Sequence, residues 1–174
     1  SRIEEMLEIG THSMWVGTFH GLAHRLLKAH WQEANLQNFQ ILDSDDQLRL
    51  VKRICRELDL DDSRWPPRQA QWYINGQKDE GLRASNINDF GDEYTKTMLR
   101  IYRAYEIACD RGGMIDFGEI LLRSHELWLK NPQILDHYQR RFAHILVDEF
   151  QDTNSIQYAW LRVLAGRGSN LMVV

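Results

Sequence analysis

The segment Ile145-Leu146-Val147-Asp148-Glu149-Phe150-Gln151-Asp152-Thr153-Asn154 sets two adjacent carboxylates at the end of an apolar run. Open α/β sheets present their ligand-binding groups at the carboxyl ends of buried strands. The spacing therefore predicts a strand that ends on acids, followed by a turn and a helix. Hard oxygens placed there suit Mg²⁺ through Asp148, and Glu149 can orient or deprotonate an attacking water. That is the chemistry of phosphoryl transfer to water. A plainer reading is a strand end whose polar residues, Asp152 and above all Thr153, cap the next helix.

Other clusters carry weaker signals. Arg49, Lys52, Arg53 and Arg56 recur at i, i+3, i+4 and i+7, a basic stripe opposite an apolar helical face. Each could neutralise one phosphate of a nucleic acid, or the stripe is a solvated face paired with Asp45, Asp46 and Glu57. Thr18, Phe19 and His20 follow a short apolar run, where a hydroxyl and an imidazole can bond phosphate and a ring can stack on a base. Equally, Phe19 is core and Thr18 a helix cap. His20 and His24 stand one helical turn apart, but Gly21-Leu22-Ala23 between them holds no glutamate, so the zinc-protease helix is not matched. Trp65, Trp72 and Tyr73 interleave with Arg64, Arg68 and Lys78; Trp72 is expected in the core and Trp65, beside Pro66-Pro67, at the surface.

The elements that must position these groups follow from periodicity and punctuation. Arg2–Ile9 reads as a helix tail closed by Gly10, and Met14-Trp15-Val16-Gly17 as a short strand. A helix then runs through Trp31, with Thr18 able to cap it. After an extended piece at Phe39–Leu42, Asp43-Ser44-Asp45-Asp46 opens a helix with Leu48, Val51, Ile54, Cys55 and Leu58 on its apolar face. A further helix starts near Pro67 and stops at Gly81. Tyr94, Met98, Ile101, Tyr102, Tyr105 and Cys109 stripe the next, which Gly112-Gly113 ends. Asp116 caps a helix that buries Phe117, Ile120, Leu121 and Trp128. Pro132 opens another, and strand, helix and strand close the chain. The fold class expected is α/β and mostly helical, with a partial parallel sheet interrupted by an all-α insertion.

Composition excludes several classes. With 43% hydrophobic and 26% charged residues in 174, the chain is globular rather than disordered. A net charge of −4 gives no global basic field, so any nucleic-acid contact must come from a local patch. Two cysteines inside helical patterns make no disulfide framework and fit a reducing cytoplasm. No apolar run is long enough for a membrane span. Both ends read as cut, Ser1 inside a helical pattern and Val174 at the end of a strand-like run.

Three segments in order carry a family resemblance: Val16-Gly17-Thr18-Phe19-His20 with Leu26-Leu27, Ile115-Asp116-Phe117 with Ile120-Leu121-Leu122, and the acidic string at Asp148. Together they resemble the single-strand-contacting motif, the acidic-Phe helix start and motif II of the UvrD/Rep-type superfamily 1 DNA helicases. The likeness runs from about Met14 to the last residue. It implies a RecA-like sheet of the P-loop NTPase type: residues 1–20 and 143–174 would belong to motor domain 1A, and 21–142 to insertion domain 1B, with the first helix possibly part of 1A. It also implies an ATP-dependent 3′-to-5′ helicase of DNA repair or replication, cytoplasmic and nucleoid-associated. Asp148 would hold Mg²⁺, Glu149 would be the base and Gln151 the γ-phosphate sensor. Thr18, Phe19 and His20 would meet single-stranded DNA. Partners implied are single-stranded DNA, a duplex junction, the rest of domain 1A with domains 2A and 2B, and repair proteins.

One departure matters. The G-x-x-x-x-G-K-[ST] phosphate loop is absent, and no lysine follows Gly10, Gly17 or Gly21 at its spacing. The expectation is an internal piece of a longer enzyme, inactive alone and holding neither ATP nor Mg²⁺ tightly. Its sheet remnant would expose strand edges prone to self-association. The competing class is a non-catalytic helical module for DNA or protein contact.

Overall fold

Local stop and start signals set most element boundaries. The computed structural model describes residues 19–141, 144–147, 154–166 and 170–173. The expected elements at Arg2–Ile9 and Met14–Gly17 lie outside these residues. Helix α1 spans Phe19–Ala29. Strand β1, Gln40–Leu42, leads into α2, Ser44–Glu57, whose N-cap Asp43 accepts a hydrogen bond from the Asp46 amide at 2.8 Å. Helix α3, Pro67–Asp79, begins on proline, whose missing N–H would be unsatisfied there anyway. Gly81, at φ +79°, reverses the chain after it. Helix α4, Glu93–Gly112, is capped by Asp92 and ends at Gly113 in the left-handed region that glycine adopts without penalty.

Strand β2, Met114–Asp116, runs straight into α5, Phe117–Lys130, and α6 follows over Pro132–Arg141. Strand β3, His144–Val147, helix α7, Ser155–Ala165, and strand β4, Asn170–Val173, complete the order. The N-cap of α7 is Asn154, in a reciprocal capping box with Gln157, and not the expected Thr153.

The described residues divide into two compact units. In the unit Leu36–Glu119, helices α2, α3 and α4 enclose a core of Leu50, Val51, Ile54, Ala70, Ile74 and Met98 with Tyr102 and Tyr105. Both free cysteines are buried there, and burial raises their thiol pKa values, that of Cys109 to about 11. The unit holds one departure from the expected all-α insertion. Strands β1 and β2 pair in parallel, Gln40 opposite Met114 and Leu42 opposite Asp116. Parallel pairing needs a long crossover, here the three helices between the strands, and no local periodicity announces such a partner.

The unit formed by Ser1–Asn35 and Ile120–Val174 is packed around Trp128 and Trp160, whose rings lie 4.8 Å apart, with Leu26, Leu27, Leu121 and Leu164. Trp160 Nε1 donates to Ser124 Oγ at 2.8 Å, and His30 Nε2 bonds the Tyr138 hydroxyl at 2.9 Å. Strands β3 and β4 pair in parallel from His144 opposite Asn170 to Val147 opposite Val173, with α7 as the crossover. Phe117 was expected on the buried face of α5, but it is 46% exposed. It lies in the first turn, and the apolar side of the helix begins at Ile120.

Candidate nucleic-acid interface

The face that α2 buries decides what it exposes. Gln47, Leu50, Val51, Ile54 and Cys55 turn inward, so Arg49, Lys52, Arg53 and Arg56, on the other side of the helix, are driven into solvent. Asp45 and Asp46 favour the positive end of the helix dipole and Arg56 its negative end.

These four cations border a cavity of about 520 Å³. Its floor is Gln40, Ile41 and Leu42 of β1, Met114 of β2 and Leu50 of α2. Arg49 pairs with Asp46 at 3.2 Å and Arg53 with Glu57 at 3.5 Å. Both pairs are well exposed, where such contacts contribute about 0–1 kcal/mol and are easily exchanged for a stronger anion. Lys52 and Arg56 form no ion pair among the described residues. The spacing read from the sequence thus yields a contiguous cationic rim, half of it paired as the solvated-face reading expected. The floor was not foreseen, because it depends on the non-local pairing of β1 with β2.

Other candidate residues are placed less fully. Thr18, Asp148, Glu149 and Gln151 lie outside the described residues. Phe19 opens α1, and His20 follows it, half-buried in the first turn. His24, on the same helix, has its pKa lowered by burial and by nearby Lys28.

The aromatic group near α3 is the reverse of expectation. Trp72 is 65% exposed, because the helix buries Ala70, Gln71, Ile74 and Lys78 and position 72 falls on the opposite side. Trp65 is half-buried against Tyr94, with the Arg64 guanidinium over its ring at 5.1 Å. Lys78 is no surface cation. It is buried, donating to Asp116 at 2.7 Å and to Glu119 at 3.1 Å. Arg83 bonds the second carboxylate, and the Tyr105 hydroxyl donates to the first. Its place on the Ala70, Gln71, Ile74 face was the signal that could have revealed this.

Residues 1–174 match the UvrD/REP helicase N-terminal domain. The chain belongs to the UvrD/REP helicase family. This UvrD/REP segment is 60% identical to DNA helicase II of Escherichia coli (strain K12) over 99% of the chain and 24% of that relative. It is 59% identical to DNA helicase II of Salmonella typhimurium, again over 99% of the chain and 24% of the relative. Identity to the ATP-dependent DNA helicase PcrA of Bacillus subtilis (strain 168) is 33%, over the same shares of the two chains. The chain spans about a quarter of the length of these relatives.

Proposed function

We propose that the chain is part of an ATP-driven DNA helicase that moves 3′ to 5′ on single-stranded DNA and opens duplex in repair or replication. The supporting observation is 60% identity to a DNA helicase II over 99% of the chain. In this reading residues 1–20 and 143–174 are pieces of a RecA-like motor domain, and 21–142 form its insertion. The longer protein supplies the phosphate loop and the other motor domain, and works in the cytoplasm on the nucleoid beside repair proteins. The chain by itself does not turn over ATP.

Asp148 and Glu149 are adjacent hard-oxygen donors, the set that Mg²⁺ takes alongside substrate phosphates. Asp148 would hold the ion, which neutralises charge developing on the phosphates when bound. Glu149 accepts the proton of the attacking water, and Gln151 orients towards the terminal phosphate and couples it to DNA. Thr18, Phe19 and His20 bind the single strand, by hydrogen bonds to phosphate and by stacking. The rim of Arg49, Lys52, Arg53 and Arg56 lies along duplex phosphates ahead of the fork.

In the full-length enzyme, Glu149→Gln is expected to abolish DNA-stimulated ATP hydrolysis while single-strand binding persists. Turnover at the unaltered rate would sink the assignment. For the rim, Arg49→Ala with Arg53→Ala is expected to reduce the slope of log affinity against log salt by about 0.9 per phosphate lost on a forked duplex. An unchanged slope removes the rim from the DNA path.

A further inference from the structure

The floor of the cavity holds chemistry that phosphates do not use. Strand β1 has one partner among the described residues, β2. The Gln40 amide donates to Gly113 O at 2.9 Å, which fixes Gln40 as the residue facing β2. In a parallel ladder alternate residues face opposite edges, so the N–H and C=O of Ile41 point away from β2 and bond no other strand among the described residues. Ile41 also lines the cavity. The pocket therefore combines an open strand edge at Ile41, a half-buried apolar side chain at Met114 on the Gln40 face of the sheet, and a cationic rim.

The geometry points to a docking groove for an extended acidic peptide that adds to the free edge of β1, its apolar side chains on the floor and its carboxylates against Arg49, Lys52, Arg53 and Arg56. Strand addition draws affinity from main-chain hydrogen bonds and specificity from alternate side chains. An alternating acidic and β-branched segment meets all three features at once, whereas a phosphodiester backbone meets only the rim. Edge strands left open are templates for such pairing, and β1 carries no proline or inward charge to blunt it. The site shares its cations with the duplex reading above but rests on the strand edge, so peptide and duplex exclude one another.

The test uses the 174-residue chain and a fluorescein-labelled peptide of alternating glutamate and valine, followed by anisotropy. Two controls accompany it, the same peptide N-methylated at alternate amides and an oligoglutamate of equal charge. The alternating peptide is expected to bind, with each control weaker by roughly ten-fold or more, as loss of the backbone or apolar contacts implies. Arg49→Glu with Arg53→Glu is expected to weaken it by at least as much, with an unchanged circular dichroism spectrum. No binding, or N-methylated peptide bound equally well, overturns the proposal without reference to any variant. Equal binding of oligoglutamate reduces the site to nonspecific charge and overturns it too. If peptide fails to bind but forked duplex responds to the charge reversals, the duplex reading survives alone. If peptide binds and the fork is indifferent, the groove stands and the duplex reading falls. Concentration-dependent self-association abolished by the charge reversals would put a second copy of the chain in the groove instead, overturning the peptide.

Discussion

Lys78 Nζ donates to Asp116 Oδ2 at 2.7 Å, with both side chains only 3% exposed. The same carboxylate accepts from the Tyr105 hydroxyl, and its other oxygen caps α5 by accepting the Glu119 amide at 2.8 Å. Burial opposes the charge on Lys78, but Asp116 and then Glu119 more than compensate, so its pKa is raised. Burial first, and Asp116 next, push the Tyr105 hydroxyl well above the phenol range. A raised lysine pKa means that the pairing stabilises fully below the unfolded value near 10.5, and that this contribution is lost as pH rises through the folded value.

Breaking this pair leaves an uncompensated buried charge. Lys78→Met is expected to cost about 3–5 kcal/mol in urea denaturation, because Asp116 and Glu119 are left facing each other with Arg83 alone. Lys78→Met combined with Asp116→Asn should recover part of the loss. A single variant within about 0.5 kcal/mol of the parent, the range of ordinary surface changes, would show that the network contributes little.

Two glycines are expected to respond with opposite signs. A Cβ on Gly118 would stand 2.9 Å from Lys78 Cβ and 3.1 Å from its Cδ. That side chain is held by two carboxylates and cannot yield, so Gly118→Ala should destabilise by about 1–3 kcal/mol. A Cβ on Gly76, inside α3, would meet nothing within 4 Å. Gly76→Ala should stabilise by about 0.4–1 kcal/mol through reduced freedom of the unfolded chain. Chemical denaturation of the pair decides it; like signs would contradict the packing described.

What could be read from sequence was local. Asp43, Pro67 and Gly113 announced their helix ends because capping chemistry acts within one turn, and the cationic stripe of α2 followed from spacing alone. Contacts between distant segments were not readable. The β1–β2 pairing joins three-residue strands too short for a period, and Asp116, a poor strand former, was taken only as a cap. Lys78 and Asp116 are 38 residues apart, so nothing local announced that a lysine interleaved with aromatic residues is buried. Trp72 misled because large aromatics are usually core, and here the helical angle overrode residue type. The acidic pair and Thr18 lie outside the described residues, so their part of the site remains a matter of family likeness.

The tryptophans offer a direct check. Trp72→Ala should change stability by no more than about 0.5 kcal/mol and remove a fluorescence component that iodide quenches readily. Trp160→Ala empties a fully buried site, removes the bond that Ser124 Oγ accepts and should cost about 3–5 kcal/mol. Equal losses from the two variants would invalidate the assigned burial.

Acid sensitivity should arise in part from His125 on α5. Burial lowers its pKa below the ordinary 6.5, with Glu126 opposing, and His24 is lowered likewise. The unfolded chain therefore takes up protons first, and stability present above that value falls as pH drops through it. The thermal midpoint should decline over that range, and His125→Gln should flatten the decline. An identical slope in the variant would assign the acid sensitivity elsewhere.

Gln47 has a consequence for how α2 and α3 can vary. Its Nε2 donates to Asn75 Oδ1 at 2.8 Å and to the Tyr105 hydroxyl at 3.1 Å, while its Oε1 accepts from Gln71 at 3.0 Å and Asn75 at 3.2 Å. Leucines and valines across a helix contact can trade volume one at a time, and a small slide costs them little. A carboxamide with donors at one end and an acceptor at the other matches its neighbours in a single register. Gln47 therefore fixes the register of α2 on α3: replacing it takes a partner from both Gln71 and Asn75, and leaves Gln71 only its bonds to Ser44.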